Sequence, residues 1–458
     1  MTQTERIAEF ANSVSFNAIP SATIDRLKLH LLDAIASFVW AQFQELPANV
    51  KKALTALSPD GIMPADHLAQ LYTTYIRYPD FMDNFLAKES TCHPSDNIGI
   101  LLAAGHLEEI QGKDFLTAMA IAYDVECRLT ELFPVMIEGY DHTVLLSFSA
   151  TAGAGRLLGL SREELTNALG IAGCSFNPVV TSRASYTSQW KGLVSSMVNA
   201  GCMNILSIAK QGITGPEKLF EIPEKGLNAI YKQHLDVDWS KEDFSIISRC
   251  SLKTFNAEVH AQSVLELISE LAAAHRFAAG EIEQVDITTF LTAYHIIGNG
   301  EYGDRTVVYS KEQADHSLPY LAAVTILDKQ VYPQQLIADR ITSPDVQELL
   351  KKVKVHTGFP LHKPVKVAGM LDPYTSAYPD KVKCKVEIVL KDGKKISGEK
   401  ETYKGFYSTP LTYEDVQQKF IKLNESYVDR ESANRIFTLV SNLENASVKE
   451  LLDAINFR

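Results

Sequence analysis

The sequence of 458 residues lacks the short motifs that mark the common cofactor and metal sites. It has no G-x-G-x-x-G fingerprint after a strand, no G-x-x-x-x-G-K-S/T loop, no H-E-x-x-H pair and no G-x-S-x-G nucleophile turn. The six cysteines are dispersed and form no C-x-x-C pair, which argues against a zinc ribbon or a locally ligated iron–sulfur cluster. We therefore expect buried structural thiols, no metal and no cofactor, with chemistry carried by ordinary side chains.

Targeting segments and an excess of positive charge are also missing. Residues 1–10 contain no basic stretch followed by an apolar one, and no run of about 18 apolar residues occurs, so we expect a cytoplasmic protein without a membrane partner. The 44 Lys and Arg residues against 56 Asp and Glu residues give a formal net charge of −12, which argues against nucleic acid as a partner. An anionic substrate would have to be held by cations gathered locally.

The sequence does contain long stretches with helical periodicity. Apolar residues recur at three- and four-residue spacing, as an amphipathic helix requires. Ser161 and Glu164 form a predicted capping box ahead of a further apolar run. The predicted helices of this first part span residues 24–42, 98–110, 116–132, 145–158, 165–171 and 193–209.

After residue 280 the pattern changes to strands that alternate with short helices. Residues 285–290 and 353–356 have strand-type alternation, and 383–390 with 395–397 predict a hairpin. The predicted helices lie at 319–327 and 344–351, and then at 414–423, 431–443 and 448–455. The sequence therefore predicts a mainly α protein in which a large helical domain, residues 1–268 and 406–458, is interrupted by an α+β domain at 269–405.

The segment from His93 to Asn97 is the first candidate for a functional site. Helix capping by Ser95 or Asp96 explains part of it, but capping explains neither His93 nor the acidic Asp83 ten residues earlier. A loop that leads into a helix N-terminus is also a good place to bind a carboxylate, because free N–H groups point outward there.

Further polar residues stand between apolar segments. Arg183, Ser188 and Lys191 belong either to an ordinary exposed loop or to an anion clamp, because a guanidinium suits bidentate carboxylate binding. His316 and Tyr320, four residues apart, are predicted to lie on one face of a helix. The other candidates, each more often structural when taken alone, are His142, Lys253, Glu258 and His260.

Several motifs together resemble the MmgE/PrpD family, and within it the 2-methylcitrate dehydratases. They are HPSDNIG (93–99), ATAGAGRLLGLSREELTNALGIAG (150–173), SRASYTSQWKG (182–192), GITGP (212–216), KTFNAEVHAQS (253–263) and ADHSLPYLAA (314–323). The resemblance implies a large helical domain with an inserted α+β domain, a homodimer, and activity on small polycarboxylates without an iron–sulfur cluster. The active-site residues of the family fall on Asp83, His93, His142, Lys191, Lys253 and Tyr320, while His260 and His316 lie in matching motifs.

The resemblance implies dehydration of 2-methylcitrate, or of a related tricarboxylate such as citrate, in propionate catabolism. The alternatives are another activity of the family, decarboxylation of cis-aconitate or epimerisation of iminodisuccinate, and a carboxylate-binding homologue without catalysis. Residues 309–313 replace a threonine-arginine pair of the dehydratases, the segment before Asp83 is shorter than usual, and Ala87 stands where the decarboxylases carry threonine.

These family reactions build negative charge beside a carboxylate, so the resemblance calls for preorganised cations. We expect Lys191, Lys253 and Arg183 to bind carboxylates. His93 or His142 is the expected acid or base, since the histidine pKa lies near neutral pH. The remaining assignments are Asp83 as the group that orients a histidine, Tyr320 or His316 as contacts to a substrate oxygen, and Ser188 and His260 as substrate-binding residues.

Overall fold

The computed structural model describes residues 1–183, 187–298, 303–360, 362–363 and 365–457. Residues 184–186 of the SRASYTSQWKG motif lie outside this part of the chain. Among the described residues, no helix is both long and apolar enough to cross a lipid bilayer.

Helices make up most of the described chain, in agreement with the predicted mainly α fold. Ser161 accepts a hydrogen bond from the backbone N–H of Glu164, and the Glu164 side chain accepts one from the Ser161 N–H, so the predicted capping box is confirmed. In chain order the helices are α1 (Gln3–Ser13), α2 (Ser21–Ala41), α3 (Glu45–Leu57), α4 (Ala65–Arg77), α5 (Ile98–Ala104), α6 (Gly112–Leu132), α7 (Thr143–Leu157), α8 (Arg162–Ser175), α9 (Val194–Ala209), α10 (Leu227–Ile230), α11 (Gln262–His275), α12 (Leu291–Ala293), α13 (Lys311–Ala314), α14 (Leu318–Asp328), α15 (Ala338–Ile341), α16 (Pro344–Leu350), α17 (Val365–Leu371), α18 (Tyr413–Asn424), α19 (Arg430–Ser441) and α20 (Val448–Ile455).

The strands form two separate sheets. A short hairpin pairs β1 (Phe85–Leu86) with β2 (Thr91–Cys92). The second sheet has the order β4-β3-β5-β6, where β3 is parallel to β4 and antiparallel to β5, and β5 is antiparallel to β6. Its strands are β3 (Ile282–Thr289), β4 (Val353–Thr357), β5 (Cys384–Leu390) and β6 (Lys395–Lys400). The predicted strands and the predicted hairpin are thereby confirmed.

The chain forms two compact units, and the helical one is interrupted by the other, as predicted. The helical unit comprises Met1–Ser182, Gly192–Leu252 and Leu411–Arg458. The α+β unit comprises Arg183–Lys191 and Lys253–Pro410. Its sequence boundaries differ from the expected 269–405. Part of the difference arises because α11 packs on β5, β6 and α14, so the whole of α11 belongs with the sheet.

Close helix packing in the helical unit places the HPSDNIG segment. Helix α4 packs against both α5 and α9, and α6 packs against α7. Gly99 allows the approach of α5 to α4, since a Cβ at this position would lie 2.4 Å from the backbone nitrogen of Thr73. The segment between His93 and α5 is therefore held in the core of this unit.

Candidate active site

The β1–β2 hairpin brings two predicted residues together. Asp83 stands two residues before β1 and His93 directly follows β2, so pairing of the strands sets the two residues side by side. The His93 Nδ1 lies 2.7 Å from the backbone carbonyl oxygen of Asp83. Because a carbonyl oxygen can only accept, His93 donates here through Nδ1–H, and the neutral ring carries its lone pair on Nε2.

The Asp83 carboxylate is held by three donors. One oxygen, Oδ2, lies 2.8 Å from His30 Nδ1 and accepts from the Tyr123 hydroxyl at 2.9 Å. The other, Oδ1, accepts from the backbone N–H of Ser95 at 2.9 Å. Burial raises the pKa of Asp83, but the hydrogen bonds and the charge of His30 outweigh burial and hold that pKa below its ordinary value. Asp83 is therefore a buried, ionised residue.

His142 lies beside His93. The two imidazole rings are 5.3 Å apart between centroids and close to perpendicular, at 67°. His142 immediately precedes α7, and the neighbouring Asp141 accepts hydrogen bonds from Thr143 and from the Ser182 hydroxyl. Two buried histidines at one place, each adjacent to a fixed aspartate, can exchange protons with a bound molecule. We call His30, Asp83, His93, Tyr123 and His142 the histidine–aspartate cluster.

Asp96, among the polar residues after His93, belongs to an ion-pair network and does not cap a helix. The Asp96 carboxylate lies 3.9 Å from Arg77 Nε and accepts from the Ser195 hydroxyl at 2.6 Å. Neither the 3₁₀ turn at Pro94–Asn97 nor α5 receives a side-chain cap. The capping interpretation of Ser95 and Asp96 was wrong, because α5 begins only at Ile98 and Asp96 instead faces the buried Arg77.

The α+β unit contains a second cluster of buried charges, which we call the lysine–histidine cluster: Lys191, Lys311, Asp315 and His316. The Lys191 Nζ lies 3.1 Å from Asp315 Oδ1 and 3.0 Å from His316 Nδ1. The Lys311 Nζ lies 3.2 Å from the other oxygen of Asp315. Burial raises the pKa of Asp315, but Lys191, Lys311 and His316 together hold it well below its ordinary value. Burial and then Lys191 lower the pKa of His316, so this ring is neutral near pH 7.

A histidine further along the α+β unit is fixed on both sides. The His260 Nδ1 lies 2.8 Å from Glu258 Oε1, and its Nε2 lies 3.1 Å from the Tyr378 hydroxyl. The His260 ring also packs edge-on against Phe290 at 5.3 Å. Lys253 is buried in the loop before this segment, with 1% of its surface exposed. Lys253 is thus a buried cation of the same unit.

Tyr320 occupies a different place from the one expected. Helix α14 begins at Leu318 with Ser317 as its N-cap, so His316 precedes the helix and the shared helical face was wrong. The Tyr320 hydroxyl donates to the backbone carbonyl of Gln335, and burial raises the pKa of Tyr320. The phenol is therefore buried and bonded to the backbone, and its assignment as a contact to a substrate oxygen stays a prediction.

Two other expected substrate-binding residues lie at the surface of the α+β unit. Arg183 is half-buried and donates to the backbone carbonyl of Lys191 at 3.4 Å. Ser188 is exposed, and its carbonyl accepts from the Lys191 N–H at 3.0 Å. In this structure both residues support the turn that carries Lys191.

Sequence reasoning missed His30 and Tyr123. Each lies on a long helix whose buried residues are mostly apolar, and each is separated from Asp83 by 40 residues or more. The available signal was a histidine between Leu29 and Leu31 in α2, where periodicity calls for an apolar side chain. His30 does not belong to a group of potential metal ligands. Within the described residues of either unit taken alone, no three ligand atoms of His, Cys, Asp or Glu lie within 4.8 Å of one another.

Comparison with known proteins gives matches along most of the chain. The model of the MmgE/PrpD N-terminal domain matches residues 5–240, and that of the MmgE/PrpD C-terminal domain matches residues 255–445. The chain is 23% identical over 475 residues to the cis-aconitate decarboxylase of Mus musculus, covering 96% of this chain and 91% of the relative. It is 27% identical over 306 residues to the 2-methylcitrate dehydratase of Escherichia coli strain K12, covering 62% of this chain and 60% of the relative. The mitochondrial 2-methylcitrate dehydratase of Yarrowia lipolytica is 25% identical over 339 residues, covering 70% of this chain and 62% of the relative.

Proposed function

Since this chain belongs to the MmgE/PrpD family, we propose that it is a lyase that removes water from a small tricarboxylate, with 2-methylcitrate as the first candidate and 2-methyl-cis-aconitate as its product. The relatives named above are all lyases by name, which supports the reaction class. Citrate is the related substrate that we would test beside 2-methylcitrate.

The geometry of Asp83 and His93 is the observation that carries the proposal. A base for C–H removal needs a lone pair on a group that is fixed in direction. The Nδ1–H bond of His93 to the Asp83 carbonyl fixes the ring and leaves the lone pair on Nε2. Asp83 is itself fixed by three donors, so the imidazole is positioned by a rigid partner.

Dehydration also needs an acid for the departing hydroxyl group. In the proposed reaction one of His93 and His142 takes the proton from carbon, the C–O bond breaks as the double bond forms, and the other histidine gives its proton to the leaving hydroxide, which departs as water. The two rings are 5.3 Å apart, a separation that lets them act on adjacent atoms of one substrate. Dehydration in this form requires one neutral and one protonated histidine.

Buried lysines supply the positive charge that the proposed carbanion-like transition state requires. Lys191 and Lys253 are 3% and 1% exposed, so their charges act at reduced dielectric screening. The neutral His316 beside Lys191 can donate or accept a hydrogen bond without adding charge. We assign carboxylate binding to Lys191 and Lys253, with His316 as a contact to a substrate oxygen.

Decarboxylation of cis-aconitate is the second candidate function. The match to the murine cis-aconitate decarboxylase covers 96% of this chain, whereas the match to the Escherichia coli dehydratase covers 62%. Ala87, where the decarboxylases carry threonine, favours dehydration instead. Because both reactions begin at a carbon beside a carboxylate, the same basic groups would serve either of them.

The test is a substrate panel followed by NMR. The purified protein is incubated with 2-methylcitrate, citrate, cis-aconitate and iminodisuccinate. The expected result with 2-methylcitrate is that the methyl doublet is replaced by the singlet of a methyl group on a double bond, since 2-methyl-cis-aconitate carries no vinyl hydrogen. The His93→Ala variant should lose at least 100-fold in turnover, in line with the 10²–10⁴-fold contribution of a general acid or base. The control is His67→Ala, which alters a histidine bonded to Ser58. Near-wild-type turnover by folded His93→Ala protein would refute the assignment, and ligand binding without turnover of any compound would indicate a non-catalytic homologue.

Three further expectations accompany the proposal. We propose a homodimer, a cytoplasmic location and a role in propionate catabolism, each resting on the family or on the composition. Light scattering of the purified protein, fractionation of the producing cell and growth on propionate after gene disruption test them in turn.

A further inference from the structure

Arg305 is a buried arginine that the reaction described above leaves without a role. Its side chain is 6% exposed, and its Nε and Nη2 atoms have no hydrogen-bond partner among the described residues. Burial lowers the pKa of this guanidinium from its ordinary value, although it stays charged at neutral pH. Buried N–H donors of a cation that lack acceptors are destabilising, so this edge of Arg305 calls for a bound anion.

The surroundings of Arg305 within the α+β unit fix its backbone but place no hydrogen-bond acceptor at the buried Nε–Nη2 edge of the side chain. The backbone carbonyl of Arg305 accepts from the hydroxyl of Ser317, the residue after His316. The Glu258 carboxylate attracts Arg305 electrostatically, but its Oε1 lies 2.8 Å from His260 Nδ1 and its Oε2 accepts from the His260 N–H at 2.8 Å. Glu258 is therefore engaged with His260 at both oxygens.

Another arginine of the same unit shows how such an edge is filled. Arg340 donates through Nε to Asp328 Oδ2 at 2.9 Å and through Nη2 to Asp328 Oδ1 at 2.6 Å. Nε–H and Nη2–H point in parallel from one side of a guanidinium and match the two oxygens of a carboxylate. The two nitrogens that bind Asp328 in Arg340 are the two that lack acceptors in Arg305.

We propose that the Nε–Nη2 edge of Arg305 binds one carboxylate of the substrate through two parallel hydrogen bonds. The nature of the ligand, a small polycarboxylate, rests on the proposed function, whereas the presence of an anion site rests on Arg305 and its surroundings. Arg305 binds a carboxylate in addition to those that Lys191 and Lys253 bind. The protein is thereby selective for substrates that carry this further carboxylate.

The first measurement separates binding from a structural role. Arg305→Met removes the charge at similar length, and Arg340→Met is the matched control that removes an arginine already paired with a carboxylate. In the absence of ligand, Arg305→Met should keep or raise the Tm, because it removes two buried N–H groups that lack acceptors, whereas Arg340→Met should lower it. A clear fall in the Tm of ligand-free Arg305→Met would indicate a structural cation and overturn the proposal.

The second measurement uses tricarballylate, a tricarboxylate that lacks the hydroxyl group and so cannot be dehydrated. Isothermal titration calorimetry should show a Kd that is roughly 10- to 100-fold weaker for Arg305→Met than for wild type, the loss expected for a charge-assisted bidentate pair. Arg305→Lys should fall between the two, because it keeps the charge but not the two parallel donors. The Kd of Arg340→Met should equal that of wild type.

The outcomes distinguish this proposal from the proposed function. Turnover on the panel with a Kd that does not depend on Arg305 would overturn only the assignment of Arg305. Arg305-dependent binding without turnover would support the assignment and overturn the lyase. Wild-type protein that neither binds tricarballylate nor turns over any compound of the panel would overturn both.

Discussion

His30→Leu tests how Asp83 is positioned. His30 has no exposed surface and contributes one of the two donors to Asp83 Oδ2, the other being the Tyr123 hydroxyl. Leucine has a similar volume but cannot donate, so the substitution removes one charge-assisted hydrogen bond with little change in packing. His30 takes no part in the proposed proton transfer, so any effect must act through Asp83 and through the His93 ring that Asp83 fixes.

The expected magnitude follows from that hydrogen bond. A hydrogen bond to a charged group contributes about 1.5–3 kcal/mol. This bond favours the ionised carboxylate, so its loss raises the pKa of Asp83. We therefore expect a roughly 10- to 100-fold fall in kcat/KM and an acid limb of the pH profile that moves to higher pH.

Stability should change with the same sign. The lowered pKa of Asp83 stabilises the folded state above the ordinary aspartate pKa, and that stabilisation is lost as the pH falls through the folded-state value. His30→Leu should thus be less stable than wild type near pH 7 and converge with it in acid.

The assay follows the ultraviolet absorbance of the conjugated product from pH 5 to 9, with circular dichroism to verify the fold. His30→Asn should recover part of the activity, since its amide N–H can replace the Nδ1 donor, and His67→Leu should behave like wild type. An unchanged pH profile and kcat/KM in a folded His30→Leu protein would refute the positioning role.

Two other predictions concern stability and thiol reactivity. Burial, and then a neighbouring glutamate, raises the pKa of Asp124 to about 8, so this residue lowers stability as the pH rises from about 4 towards 8. Asp124→Asn should add about 1–3 kcal/mol to the free energy of unfolding, measured with urea, at pH 9 and little at pH 5. Asp114→Asn, at an exposed position, is the control. A variant that is less stable than wild type at pH 9 would contradict this prediction. Cys174 is exposed while the other five cysteines are buried. An aromatic disulfide reagent should therefore react rapidly with one thiol in native protein and with six in guanidinium. Rapid reaction of two or more thiols in native protein would contradict this prediction.

The sequence predicted those parts of the fold that depend on local patterns. Helices α7 and α9 and the β5–β6 hairpin lie where the apolar pattern of the sequence placed them, because most of their buried residues are apolar. Helix α5 ends at Ala104, six residues before the predicted end, because the chain turns at Gly105. A Cβ at Gly105 would lie 2.5 Å from Val448 Cγ1, a contact between residues more than 300 positions apart that local periodicity cannot reveal.

The same distinction separates the predicted from the missed site residues. Asp83 and His93 were identifiable because they are ten residues apart around one short hairpin. His30 was not, since it meets Asp83 only after α2 has packed in the helical core. The shared helical face of His316 and Tyr320 was wrong although local signals were present: Ser317 and a proline in the first turn already indicate a helix that starts after His316.

The interrupted order of the helical unit has a consequence for biosynthesis. Helix α2, which carries His30, packs against α18, and Lys419 of α18 forms a buried ion pair with Asp33 of α2 at 2.7 Å. On the ribosome α2 emerges early but must wait for Leu411–Arg458, the last part of its unit to be synthesised. Chains released before that point would expose an unfinished helical core while the α+β unit was already complete. A nonsense mutation directly after residue 410 would remove no candidate site residue. It would, however, remove α18, which packs on the helix that carries His30, so the surroundings of Asp83 could not form.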